Sequence, residues 1–224
     1  MISKFHLKFQ NYPQIDFIIY VSMYTQDDAP LYDQKQVKDL IYPFLRKELI
    51  LPSQEKQFKF SSVMITIHFT KGDPHILLIK RTKLVKNHAG EISFPGGNFT
   101  KVDVNMLQTA IREIEEELGI TIKSEQVIGS LNAERTLTSR YIIYPYVALL
   151  DKIPEITVTN YEVEKIIDAP LISLLKSREC DVKHQQEYSI SQLPKFTYKN
   201  EVIWGATARI LDQLAKLFSH EIDF

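Results

Sequence analysis

Phe94-Pro95-Gly96-Gly97, then Asp103, then Arg112-Glu113-Ile114-Glu115-Glu116-Glu117-Leu118-Gly119-Ile120 is the stretch that decides the fold. Pro-Gly-Gly predicts a turn whose backbone can approach a ligand or metal ion closely, because glycine has no Cβ to keep it away. From Val104 to Leu118 there is no Gly or Pro, and Leu107, Ala110, Ile111, Ile114 and Leu118 recur at helical spacing, which predicts a helix. Gly119 stands where a helix C-terminus favours a left-handed residue. Glu113, Glu116 and Glu117 fall at i, i+3 and i+4, so their carboxylates converge on one helix face. Three such anions repel one another unless a cation sits among them. All-oxygen ligation suits Mg²⁺ or Mn²⁺, and Mg²⁺ shares its shell with water and substrate phosphates. A purely solvated acidic face accounts for Glu115. It accounts neither for the Gly-Gly turn nor for Arg112, which can hold a carboxylate in its ligating position.

A basic segment runs directly into this stretch: Leu77-Leu78-Ile79-Lys80-Arg81-Thr82-Lys83-Leu84-Val85-Lys86-Asn87-His88-Ala89-Gly90-Glu91-Ile92-Ser93. Lys80, Arg81, Lys83 and Lys86 set cations beside an acidic metal helix, the pairing a phosphorylated substrate needs. The competing reading is a solvated strand end and loop. His88 reads as structural rather than catalytic.

Together these segments resemble the signature box of the Nudix hydrolases: a Gly, five residues, an acid, seven residues, then Arg-Glu-apolar-x-Glu-Glu-x-Gly-apolar. Here Gly97 is followed by five residues and Asp103, then by eight residues to Arg112. The basic segment is similar to the extension of the coenzyme A pyrophosphatase branch of that family, which also tolerates the extra residue. Lys86 stands where the branch has Arg, and Thr100 where an acid is common. Thr136-Leu137-Thr138-Ser139-Arg140 with Pro145-Tyr146-Val147 is similar to a Thr-x-Ser-Gly…Pro-x-Val pattern of the same branch, with Arg140 in place of Gly. Ile203-Trp204-Gly205-Ala206-Thr207-Ala208 resembles the start of its last helix, and core packing is the plainer account of that stretch. The likeness spans about residues 60–218.

Composition bounds the rest. The chain has 224 residues, net charge -1 and 25% charged residues, which argues against a general nucleic-acid binder or a polybasic membrane protein. A hydrophobic content of 44% with 12 Phe and 11 Tyr fits a folded core. A lone Cys180 excludes an internal disulfide and a Cys-based zinc site. Lys4, His6 and Lys8 interrupt the N-terminus, and residues 15–23 are too short to span a bilayer, so the expectation is a cytoplasmic protein.

In chain order, residues 15–24 predict a strand and Asp27-Asp28-Ala29-Pro30 a break. Asp33 predicts the cap of a helix running to about Leu49, with Val37, Leu40, Ile41, Phe44 and Leu45 on one face and Pro43 as a kink or a new start. Residues 60–69 and 75–81 read as strands around the turn at residues 71–74. Further strands are expected at 126–131, 141–150 (with Pro145 marking an edge or bulge) and 164–168. A short helix through Leu175, a hairpin within 180–203 and a final helix over 204–218 complete the pattern. Strands interleaved with two main helices mean α+β or mixed α/β. The resemblance supplies the specific architecture: the Nudix α/β/α sandwich, a mixed sheet between helices. Residues 1–58 form an N-terminal arm with one helix, and 59–224 the Nudix domain.

The resemblance implies hydrolysis of a nucleoside diphosphate linked to another moiety. Glu113, Glu116 and Glu117 would ligate Mg²⁺ or Mn²⁺, with the Gly97 or Gly96 carbonyl as a further ligand, and Arg112 would orient the glutamates. Glu162 is the candidate general base on a later loop, against a solvated loop acid. Arg81, Lys86 and Arg140 are candidate substrate-phosphate binders. Three readings stay open: a coenzyme A pyrophosphatase, a Nudix enzyme acting on ADP-ribose or another nucleotide, and a Nudix-like binding module without catalysis. The expected partner is a small nucleotide substrate, with neither nucleic acid nor membrane, and a homodimer is left open.

Overall fold

In the computed structural model, residues 32–46, 57–84, 88–153, 155–158, 161–188 and 192–218 are described. The expected strand at 15–24, the break at 27–30 and Lys86 lie outside them. The sheet is built on β1 (Lys59–Thr70) and β2 (Asp73–Arg81), a hairpin closed by Lys71-Gly72 with φ of 53° and 91°. Positive φ at both central positions matches the right-handed twist of the flanking strands. β2 pairs on its other side with β3 (Ile92–Ser93) and β8 (Val163–Pro170), both antiparallel. β1 pairs antiparallel with β4 (Gly96–Asn98) and parallel with β7 (Tyr141–Leu150), and β7 takes β5 (Val127–Ser130) and β6 (Glu134–Arg135) antiparallel. The parallel β1–β7 pair makes the sheet mixed.

Side-chain alternation gives the sheet two apolar faces. Met64, Leu77, Ile79, Ala148 and Leu150 face α2 (Met106–Leu118), whose Ala110, Ile114 and Leu118 are fully buried against them. Ile65, Ile67, Ile76, Leu78 and Val147 face the opposite layer of α1 (Gln34–Ile41), α3 (Leu171–Lys176) and α5 (Gly205–Phe218). Helices on both faces give the expected sandwich. Each fully buried Ile or Leu contributes roughly 1.5–3 kcal/mol, so Ile114 and Leu118 fix the rotation of α2, and with it the direction of its glutamates.

Several boundaries differ from expectation for local reasons. α1 has the expected Asp33 cap, completed by Gln36 donating and accepting in return, but it ends at Ile41 because Pro43 opens a 3-10 turn over Tyr42–Phe44. Its Val37 and Ile41 are fully buried in the α5-side core. α2 starts later than residue 104, where the Asn105 carboxamide accepts from the Gln108 N–H at 2.9 Å, and it ends in Gly119 at φ 66° as expected. Pro145 is not on an edge: β7 is flanked by β1 and by β5 and β6. The proline sits where pairing passes from β5 (Ser130 opposite Tyr146) to β6 (Glu134 opposite Ile143), where the β5/β6 side asks less of an N–H. The 180–203 segment holds the hairpin of β10 (Pro194–Tyr198) and β11 (Glu201–Ile203), turned at Lys199-Asn200, preceded by β9 (Glu179–Cys180) and a short helix, α4 (Val182–Tyr188), that was not expected. No helix among the described residues is long and apolar enough to cross a membrane.

Candidate active site

The site forms where β4 meets the face of α2. Gly96 and Gly97 pair with Val63 and Ser62 of β1, and both are pressed too closely for any side chain. A Cβ at Gly96 would meet the Ser62 carbonyl oxygen and Val63 backbone, and one at Gly97 would fall 2.5 Å from the Glu113 carboxylate. The Gly96 N–H donates to Glu117 Oε2 at 3.0 Å. The loop backbone therefore lies directly against two of the three glutamates, Glu117 through the Gly96 N–H and Glu113 beside the Gly97 Cα.

Arg112 is the organiser. Nε donates to Asp103 Oδ1 at 2.8 Å and Nη2 to Asp103 Oδ2 at 3.0 Å, a fork-to-fork pair. Nη1 donates to Glu113 Oε1 at 2.8 Å and to Glu116 Oε2 at 3.0 Å, and Nη2 also reaches the Asn98 carbonyl. Asp103, only 1% exposed at its side chain, also accepts from the Thr100 N–H and hydroxyl at 2.9 Å each. The Arg112 guanidinium, helped by Thr100 and opposed by burial, holds the Asp103 carboxyl far below the usual range, and Asp103 in turn raises Arg112. Thr100, which replaces an acid of the resembled branch, thus seats the acid of the box. Asp103 was absent from the expected site residues; its place in the box, with five residues between it and Gly97, was the available signal.

The glutamates occupy graded environments. Glu116 is exposed, Glu113 is half-buried and Glu117 is 3% exposed. Burial pushes the Glu117 carboxyl up to about 8; the Gly96 N–H and Arg81 pull it down while Glu113 and Glu162 push it further up. Burial also raises Glu113, against the pull of Arg112. Three carboxylates, graded from exposed to buried on one helix face, form an all-oxygen donor set, and a divalent cation would relieve both their repulsion and the desolvation of Glu117. The residues therefore fit a hard divalent ion.

Arg81 and Glu162 come together from the ends of β2 and β8, with Nη2 donating to Glu162 Oε2 at 2.6 Å. A register shift at Lys80/Arg81 and the Thr82 N–H to Glu162 carbonyl bond turn both residues toward the site. Both act electrostatically on Glu117. Arg81 Nε is buried without a hydrogen-bond partner. Lys80 is a structural cation, since Nζ lies 3.0 Å from both Glu201 oxygens. His88 is held by Glu91 at 2.9 Å, in keeping with a structural role. Arg140 is exposed at the start of β7 with φ 56°, and its carbonyl accepts from the Lys59 N–H. It is not joined to the glutamates by any described ion pair. Beside it an open pocket of about 280 Å³ is lined by Lys59, Phe60, Asn98, Phe99 and Tyr141.

Comparison with known proteins agrees with this geometry. A family model described as "NUDIX domain" matches residues 59–186. An "Uncharacterized Nudix hydrolase NudL" of Photorhabdus laumondii is 33% identical over 178 residues, 76% of this chain and 93% of that protein. A protein of the same description from Pectobacterium atrosepticum is 31% identical over 145 residues, covering 63% and 74%. Among solved structures, a MutT/nudix family protein from Enterococcus faecalis superposes with a TM-score of 0.53 at 15% identity, covering 78% of this chain and 66% of that one, a likeness of fold. With the matched model spanning more than half of its length and the glutamate helix, glycine turn and mixed sheet in place, the chain belongs to the Nudix family and is a Nudix hydrolase.

Proposed function

We propose that this hydrolase cleaves the pyrophosphate of coenzyme A or a derivative, giving adenosine 3′,5′-bisphosphate and a phosphopantetheine. The observation that carries the reading is Arg81: a guanidinium with a buried, unpartnered Nε, set beside the glutamate pocket and leading into the basic extension. The open pocket beside Asn98, whose aromatic side chains Phe60, Phe99 and Tyr141 stand among the polar Lys59 and Asn98, suits a long, largely neutral pantetheine arm with its amides. Arg140 and Lys86 are the further candidate binders of phosphate.

Glu113, Glu116 and Glu117, with the Gly97 carbonyl, would hold Mg²⁺ or Mn²⁺. When bound, the ion screens the phosphate charge and acidifies a water. Water adds to one phosphorus, the bridging P–O bond breaks, and the other phosphate leaves with its electron pair. Arg112 keeps Glu113 and Glu116 turned toward the ion. Glu162 is the candidate base, receiving the water's proton, and its ion pair with Arg81, the candidate phosphate binder, supports a role for both in one site. If Glu162 is the base, Glu162→Gln removes the acid limb of the kcat profile; if it only holds Arg81, KM rises and the limb stays.

A substrate panel with Mg²⁺ and Mn²⁺, with products identified by mass, tests the reading. A subsite for the 3′-phosphate should give coenzyme A a kcat/KM roughly tenfold or more above ADP-ribose. A better turnover of ADP-ribose or a nucleoside triphosphate under matched conditions overturns the substrate and leaves the family assignment standing.

A further inference from the structure

A second set of ligating side chains lies at the other end of the sheet. The register of the β1–β2 hairpin puts His68 directly opposite His75, and β8 brings Asp168 opposite Leu77 on the same face of the sheet. His68 Nε2 lies 3.1 Å and His75 Nδ1 2.9 Å from one and the same oxygen, Asp168 Oδ1. One ligand atom from each residue falls within 4.8 Å of the others. The His68 side chain is fully buried, that of His75 is 16% exposed and that of Asp168 41% exposed, so the cluster is closed by the strands and open on one side.

We propose that His68, His75 and Asp168 bind a Zn²⁺-type transition metal ion, with water in the fourth position, as a staple across β1, β2 and β8. Two imidazoles and a carboxylate suit zinc far better than Mg²⁺, which prefers oxygen and keeps its waters. Tetrahedral bonds of about 2.0–2.2 Å set ligand atoms roughly 3.3 Å apart, so each histidine nitrogen needs to part from the Asp168 oxygen by only a few tenths of an ångström. Held by hydrogen bonds alone, both rings must aim an N–H at a single carboxylate oxygen; an ion replaces those two protons and takes three lone pairs that already converge. Burial would raise the Asp168 carboxyl, but the two histidines outweigh it and keep it below its ordinary range, as an anion. A His68 ligating through Nε2 carries its proton on Nδ1, which is buried without a partner, and the equally unpartnered Thr66 hydroxyl lies two residues earlier on the same strand face.

Arg81 lies six residues along β2 from His75, about 20 Å at ~3.3 Å per residue. The ion is therefore too far away to touch the pyrophosphate. It fixes β8 on β2, the strand pair whose far end carries Glu162 and Arg81. The assignment is independent of the substrate reading.

Metal-stripped protein incubated with Zn²⁺ in excess Mg²⁺, then desalted, should retain one equivalent of zinc by elemental analysis, with a zinc-dependent rise in Tm. Cobalt in its place should give the visible absorption of a tetrahedral nitrogen-oxygen site. The Glu116→Gln/Glu117→Gln variant should keep the zinc. His75→Gln and Asp168→Asn, chosen because these side chains are less enclosed than His68, should lose both the zinc and the rise in Tm while remaining folded by circular dichroism. Zinc uptake that is absent from the wild type, that survives both substitutions, or that disappears with the glutamates instead overturns the proposal.

Discussion

The two arginines of the site do opposite work. Arg112 spends its donors on Asp103, Glu113, Glu116 and the Asn98 carbonyl, all within or next to one loop and one helix. Arg81 has Glu162 at one end of its fork and an unpartnered Nε, and its partner, 81 residues away, stands in the turn just before β8. A fully satisfied guanidinium is a building element: it fixes carboxylates and has nothing left for a ligand. A half-satisfied one beside the glutamates is the candidate receptor for phosphate in the proposed function. Substitutions at the two positions should therefore separate stability from substrate binding.

The largest effect is expected at Arg112. Arg112→Ala leaves Asp103 buried with its main counter-charge gone, which costs about 3–5 kcal/mol for a broken buried pair. Thermal or urea unfolding measures it, and a loss below about 1 kcal/mol would show that Thr100 alone can hold the loop. Arg112→Lys should recover only part of the stability, since an ammonium cannot replace the fork.

Next come the glutamates. Glu116→Gln and Glu117→Gln should each lower kcat by at least roughly 10²-fold, about 2.7 kcal/mol, with the fold intact. Glu117 also makes metal-free stability depend on pH. Its folded pKa, about 8, lies above the unfolded value near 4.5. The protonated folded form is favoured, so this contribution is fully present below about pH 4.5 and is lost as pH rises toward 8. Metal-free wild type should lose Tm across that window, Glu117→Gln should flatten the loss, and added Mg²⁺ should restore the wild type at high pH. A wild-type curve that is flat or rises across the window would contradict the buried acid.

Arg81→Ala should raise KM for an active substrate by roughly tenfold, about 1.4 kcal/mol, and lower kcat less, as for a lost contact made equally in ground and transition states. Unfolding should change little by comparison with Arg112→Ala. Equal falls in kcat and kcat/KM would move Arg81 into the transition state, and an unchanged KM would make it a partner of Glu162 alone.

The same contrast explains what was legible in the sequence. Most of the Arg112 network lies on one helix, where helical spacing sets Glu113 and Glu116 beside it, so the glutamate face and the Gly119 cap followed from local rules. Asp103 escaped as a site residue because its role depends on a loop folding back onto α2. Arg81 and Glu162 could each be singled out, but their 2.6 Å contact depends on β2 pairing with β8. Pro145 misled for the same reason: an absent N–H argues for an edge, and only the hand-over from β5 to β6 reveals another way to accommodate it. The cluster of His68, His75 and Asp168 left no local signature at all, since it needs a hairpin register and a third strand.

The smallest effect separates Arg140 from the other two arginines. Its φ of 56° places Arg140 in the left-handed region, where a residue other than glycine costs about 1–2 kcal/mol. The resembled branch has Gly at this position. Arg140→Gly should relieve that cost, less the entropy glycine adds to the unfolded chain, which is about 0.5–1 kcal/mol. The net gain is about 0.5–1 kcal/mol, read as a rise in Tm of a few degrees for a chain of this size. The side chain is exposed, so a phosphate contact through it is screened and contributes no more than about 1 kcal/mol, a rise in KM of about fivefold or less. A gain in stability together with a small rise in KM would identify an arginine kept for the substrate at the expense of its turn. A gain in stability with KM unchanged for every active substrate removes Arg140 from the phosphate site and leaves Arg81 as the principal cation there.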